Sequence, residues 1–104
     1  MRRLSYEEFA TLRAAEDLRV IDVREQEEYD TVHVRGVELF PLSRLQRGEL
    51  PEPDGRTVAL ICRSGARSAF AGQLLESRGF AETINVEGGT LAAMGLRPED
   101  VERG

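Results

Sequence analysis

No apolar run in this chain approaches the roughly 20 residues that a membrane-spanning helix needs, so no membrane partner is expected. The start of the chain, Met1-Arg2-Arg3-Leu4-Ser5-Tyr6-Glu7-Glu8, turns acidic where a secretory leader would turn apolar, and the expected address is the cytoplasm. Cysteine is nearly absent. The single Cys62 excludes an internal disulfide, a CxxC redox pair and any cysteine-rich zinc site, and neither a metal nor another cofactor is expected. Positive charge is in deficit, 14 basic residues against 19 acidic, and the net charge of −5 argues against a duplex nucleic-acid partner. Prolines number only four, and neither a repeat nor a low-complexity segment is found. What is present, 40% hydrophobic and 32% charged residues, describes a globular protein. At 104 residues, dividing the chain would leave pieces too small to bury a core, so residues 1–104 are read as one domain.

Short apolar runs alternate with helical patterns along the chain. Ser5-Tyr6-Glu7-Glu8 fits a capping box and predicts a first helix of about ten residues, with Phe9 and Leu12 on its apolar stripe. Arg19-Val20-Ile21-Asp22-Val23 reads as a buried strand and Glu25 to Tyr29 as a short acidic helix. Val37 to Phe40 is a weaker strand candidate stopped by Pro41. A helix from Leu42 to Arg47 is ended by Gly48, and Glu49 to Gly55 is a connector. Thr57 to Ile61 is the clearest strand. Ser68 to Arg78 is the clearest helix, expected to bury Phe70, Ala71, Leu74 and Leu75 and to end at Gly79. Thr83 to Val86 is another strand, and Gly88-Gly89 turns into a helical segment from Thr90 to Met94. This order predicts an α/β fold with a mainly parallel sheet covered by helices on both faces.

Ligand crevices in such sheets lie beyond the carboxyl ends of the strands, and the residue just past Ile61 is Cys62. The loop Cys62-Arg63-Ser64-Gly65-Ala66-Arg67 joins that strand to a helix, so its amides can point inward around an anion. Gly65 supplies backbone freedom, and Arg63 and Arg67 supply charge that favours thiolate over thiol. The alternative readings are a buried apolar cysteine, arginines solvated at the surface, and Ser68 acting only as a helix cap. Only four residues separate Cys62 from Arg67, one fewer than in cysteine-dependent phosphatases. The tighter ring suits a single sulfur atom better than a tetrahedral oxyanion.

With these residues placed, the sequence resembles the rhodanese family from about Leu18 to Leu96. The resemblance rests on Ile21-Asp22-Val23-Arg24-Glu25-Gln26-Glu27-Glu28-Tyr29 followed by His33-Val34-Arg35-Gly36 and Pro41-Leu42, on the loop Cys62 to Ser68, and on Val86-Glu87-Gly88-Gly89. It implies a five-stranded, mainly parallel sheet and a sulfurtransferase in which Cys62 takes the outer sulfur of thiosulfate or a persulfide donor and becomes a persulfide. Cyanide, a thiol or a partner protein would then accept that sulfur. Arg63, Ser64, Gly65, Ala66, Arg67 and Ser68 would bind the substrate and cradle the persulfide. Asp22 and Arg24 are expected to be structural, with Glu28 as the ion-pair partner of Arg24. His33 is expected in a structural turn, and Gly88 and Gly89 are expected to let the backbone pack beneath the active loop. One departure stands out: Ala92-Ala93-Met94-Gly95 replaces the Ala-Trp pair often found after the double glycine, and the segment looks shortened.

Two further classes share these features. A small phosphatase or arsenate reductase is disfavoured by the short loop and by the lack of a second cysteine. A non-catalytic rhodanese-like binding module is disfavoured by the intact Cys62 loop. The exposed residues carry mixed charge and leave monomer and homodimer both open.

Overall fold

The computed structural model describes residues 1–104. Five parallel strands, β1 (Arg2–Ser5), β2 (Arg19–Asp22), β4 (Glu38–Leu39), β5 (Val58–Ile61) and β6 (Ile84–Glu87), form one sheet in the order β1-β6-β5-β2-β4. A second, two-stranded antiparallel sheet joins β3 (Val32–Val34) to β7 (Val101–Arg103). The helices are α1 (Tyr6–Ala15), α2 (Gln26–Thr31), α3 (Leu42–Gln46), α4 (Ala66–Ser77) and α5 (Gly89–Leu96), and a 3-10 turn spans Pro98–Asp100.

Side chains alternate across a strand, so each central strand feeds two cores. Val20, Ala59, Ile61, Ile84 and Val86 point to one face and pack with Tyr6 and Phe9 of α1 and Ala93 of α5. Ile21, Val58 and Leu60 point to the other and pack with Leu45 of α3 and Ala71 and Leu75 of α4. Cys62 continues the second set, two residues after Leu60. The pleat therefore aims its sulfur at α4.

Most of the expected elements are present, and the capping box of Ser5 and Glu8 opens a ten-residue α1. Several expectations need correction. The helix after Cys62 begins at Ala66, and its N-cap is Gly65 at φ 114°, so Ser68 lies inside the first turn and is not the cap. The buried stripe is the small-residue face of Ser68, Ala71, Gly72 and Leu75, and Phe70, on the flank away from it, is 51% exposed. His33 lies in the middle of β3, opposite Glu102, and not in a turn. Alternation buries Val32 and Val34 and turns the imidazole outward, where it stacks on Tyr29 at 3.8 Å between ring centroids. Past Met94 the helix runs on to Leu96, and the segment beyond it returns as β7. The edge strand β1 was not foreseen, because of its four residues only Leu4 is strongly apolar.

Candidate active site

Cys62 sits at the carboxyl end of the central strand β5, where the loop Arg63 to Gly65 turns the chain into α4. The residue is 1% exposed. Its Sγ accepts a hydrogen bond from the Gly65 amide at 3.1 Å and lies 3.3 Å from the Ser68 hydroxyl. Burial pushes the thiol pKa up. The Ser68 hydroxyl and the amides of Ser68, Gly65 and Ser64 act against it and carry the balance below an ordinary thiol. Positive φ at Gly65 is what brings its N–H onto the sulfur, and a side chain there would strain the turn.

The floor of the loop is fixed by α5. Thr90 donates its backbone N–H to the Cys62 carbonyl at 2.9 Å and its hydroxyl to the same oxygen at 3.0 Å, and the Leu91 amide reaches the Arg63 carbonyl at 3.1 Å. Gly89 makes this approach possible. A Cβ built on it would stand 2.7 Å from the Arg63 carbonyl oxygen, and its φ of +54° is already left-handed. Gly88, at φ +80°, is the N-cap of α5. With its carbonyls held from below, the loop is free to turn amides toward the sulfur.

Arg67 projects from the first turn of α4 and makes a two-pronged ion pair with Glu28 of α2, at 2.7 and 2.8 Å. The hydrogen bond from Arg67 is the main reason the Glu28 carboxyl falls to a pKa of about 2. Glu28 was expected to pair with Arg24. Instead Arg24 turns to Asp22, 2.8 Å away and likewise buried, and gives further hydrogen bonds to the Val32 and Glu28 carbonyls. The short reach from the end of β2 lets the Arg24 side chain fold back on Asp22, which leaves the Glu28 carboxylate facing α4. Arg63 is exposed and forms no ion pair, so it is the uncompensated cation of the loop. Ser64 and Ala66 are also exposed on the loop. No three His, Cys, Asp or Glu side chains are grouped as a metal site.

An arrangement with one cysteine at a strand end, a loop of inward amides after it and a double glycine beneath matches the model for the rhodanese-like domain, which aligns with residues 5–93. The chain belongs to this family. "Probable adenylyltransferase/sulfurtransferase MoeZ" of Mycobacterium tuberculosis is 38% identical over 87 residues, covering 81% of this chain and 22% of MoeZ. The chain thus spans about a fifth of that relative's length. The thiosulfate sulfurtransferase GlpE of Pseudoalteromonas translucida is 25% identical over 88 residues, 85% of this chain and 84% of GlpE. Among solved structures, a rhodanese-like domain protein from Staphylococcus aureus superposes with a TM-score of 0.77 at 26% identity, over 88% of this chain and 90% of that one.

Within the rhodanese-like fold the structure brings Cys62, Gly65, Arg67, Ser68, Gly88 and Gly89 around one loop, with Asp22 and Arg24 at the neighbouring strand end. His33 stands apart, on the sheet formed with β7. Two residues around the site were missed by sequence reasoning. Thr90 gave no signal beyond its place after the double glycine. Asn85 did give one: it is a polar residue inside a buried parallel strand, where an amide is costly unless it is bonded.

Proposed function

We propose that this chain is a sulfurtransferase that carries sulfane sulfur on Cys62. The observation that carries the reading is the environment of Sγ, a buried sulfur with a loop amide and a hydroxyl directed at it and a net downward shift of its pKa. These groups favour a nucleophilic thiolate, and a ring of amides favours the anionic outer sulfur that forms on it. The family and the names of its relatives point the same way.

In the first half-reaction the Cys62 thiolate attacks the outer sulfur of the donor. An Sγ–S bond forms, and the bond from that sulfur to the donor breaks, its electron pair leaving with sulfite or with a thiolate. In the second, an acceptor thiolate or cyanide attacks the outer sulfur and Cys62 leaves as thiolate. Arg63, Ser64, Gly65, Ala66, Arg67 and Ser68 form the binding loop, with Asp22, Arg24, Gly88 and Gly89 holding its shape.

Charge at the mouth favours a persulfide donor over thiosulfate. Glu28 cancels the charge of Arg67, so Arg63 alone remains to meet a dianion. An open groove lined by Arg63, Thr31, Leu91 and Met94 beside the loop offers apolar surface to a thiol carrier. We place the activity on one domain, residues 1–104, working in a reducing compartment such as the cytoplasm, where a lone thiol stays free.

The test is sulfur transfer to cyanide, read as thiocyanate, from thiosulfate and from a low-molecular-weight persulfide, with Cys62→Ser as control. Transfer that depends on Cys62, with the larger kcat/KM for the persulfide, is expected. Aryl-phosphate hydrolysis in place of transfer would move the chain to the phosphatase class, and inertness in both assays would make it a binding module.

A further inference from the structure

Asn85 is 1% exposed and lies on β6 opposite Leu60 of β5. Ile84 and Val86 on either side point into the α1 core, so the Asn85 amide points to the α4 face, the one that holds Cys62. Its Nδ2 donates to the Gly65 carbonyl at 3.2 Å and to the Glu87 carboxylate at 3.0 Å. Both partners are acceptors only, so the amide has one orientation, with Oδ1 turned to the Ser68 hydroxyl. That hydroxyl lies 2.5 Å from Oδ1, 3.2 Å from the Gly65 carbonyl and 3.3 Å from the Cys62 sulfur. Ser68 has one proton for three acceptors.

Which acceptor receives it depends on the state of Cys62. A neutral thiol can donate its own S–H to Ser68 Oγ, and Ser68 then donates its O–H to Asn85 Oδ1. A thiolate only accepts, so it draws the Ser68 proton to itself in addition to the Gly65 amide, and when that proton turns to sulfur Asn85 Oδ1 is left buried without a donor. In a persulfide the charge moves to the outer sulfur, Sγ becomes a weak acceptor, and Ser68 turns back to Asn85. The Gly65 carbonyl, 3.2 Å from the hydroxyl, is a neutral acceptor whatever the state of Cys62 and so does not distinguish the three.

We infer that Asn85 is a positioning residue that competes with Cys62 for the Ser68 hydroxyl proton, disfavouring the free thiolate and biasing the site toward its sulfur-loaded form. The first half rests on geometry alone; the second rests on the sulfur-transfer reading above. The charged groups around the thiol are Arg63 on the loop, Arg67 with Glu28 on α4 and α2, Asp22 at the end of β2 with Arg24 just past it, and Glu87 at the end of β6. All of them remain in the variants below.

The experiment reads the midpoint of the pH–rate profile for Cys62 alkylation in the full chain. Asn85→Leu removes the competing acceptor, and Asn85→Ala does so with less demand on packing. Each is expected to lower the midpoint by about one pH unit, roughly tenfold more thiolate below it. Ser68→Ala is expected to raise the midpoint, and adding Asn85→Ala to Ser68→Ala is expected to change nothing further, because no proton is left to compete for. In thiosulfate–sulfite mixtures above the midpoint, the persulfide-to-thiolate ratio read by intact mass is expected to fall about tenfold in Asn85→Ala. A folded Asn85→Ala whose midpoint is unchanged or higher overturns the inference, as does an equal shift in the Ser68→Ala background. If the midpoints move as stated but the wild-type protein never loads sulfur from thiosulfate or a persulfide, the proton competition stands and the sulfur-transfer reading fails.

Discussion

Glu28 on α2 holds the Arg67 guanidinium of α4 with both carboxylate oxygens, at 2.7 and 2.8 Å. The contact joins the acidic helix after β2 to the first turn after the active loop, so a residue expected from sequence to brace Arg24 braces the loop itself. It also sets the charge of the mouth, since an arginine that would otherwise attract anions is neutralised in place. Glu28→Gln is therefore expected to raise kcat/KM for thiosulfate a few-fold relative to a persulfide donor. Equal changes with both donors would contradict this role.

The same pair has a pH signature. The Glu28 pKa is depressed in the folded chain to about 2 from an ordinary 4.5, chiefly by the Arg67 hydrogen bond, so its contribution is complete above the ordinary value and is lost as pH falls toward 2. Both side chains are about a third exposed, which holds the contribution to about 1 kcal/mol or less. Urea unfolding of Glu28→Gln is expected to match wild type at pH 3 more closely than at pH 6. A gap that stays constant with pH would contradict it.

Asp22 and Arg24 form a buried pair, and breaking it from one side leaves a charge with no partner. Asp22→Ala is expected to cost about 3–5 kcal/mol, while Asp22→Ala combined with Arg24→Met recovers part of the loss. Denaturant midpoints of the single and double variants check this, and a double variant less stable than the single one would sink it.

Gly89→Ala would force a Cβ into the Cys62 and Arg63 carbonyls in a left-handed backbone. The variant is expected to lose about 2 kcal/mol or more of stability and most of its sulfur-loading rate, because the loop must rise from α5. Gly95→Ala, with nothing within 4 Å of the added carbon, is the unstrained control on the same helix and is expected to keep the sulfur-loading rate and to stabilise the chain slightly.

Tyr6 at the start of α1 donates its hydroxyl to Asp100 at 2.9 Å, tying the 3-10 turn before β7 to the α1 side of the sheet. Tyr6→Phe is expected to cost about 1 kcal/mol and to leave the alkylation midpoint of Cys62 unchanged, the two sites lying on opposite faces. A shifted midpoint would show coupling through the sheet.

The alternation of strands and helices, the position of Cys62 and the double glycine were legible because each has a local signature in spacing or residue type. β1 and the β3–β7 pair were not. β1 is an edge strand with one strongly apolar side chain, and β3 and β7 are three-residue strands that pair across 69 positions of sequence, as His33 does with Glu102. Partner choice was the other blind spot. Arg24, Arg67, Asp22 and Glu28 were all visible as charges, but which carboxylate meets which guanidinium depends on how α2 and α4 approach each other. Asn85 was passed over as a strand residue, although a buried amide beside strand neighbours as apolar as Ile84 and Val86 already asks for partners. Phe70 misled because the apolar face was drawn through the bulkiest side chain, whereas the face that packs closely on the sheet carries Ser68, Ala71 and Gly72 beside Leu75.

The central claim is that Cys62 holds transferable sulfur, and the most direct test is the intact mass of the protein before and after a persulfide donor, then after excess thiol. The account predicts a gain of one sulfur atom, absent in Cys62→Ser and discharged by the thiol. No gain in the wild-type chain, or a gain that survives in Cys62→Ser, would contradict it.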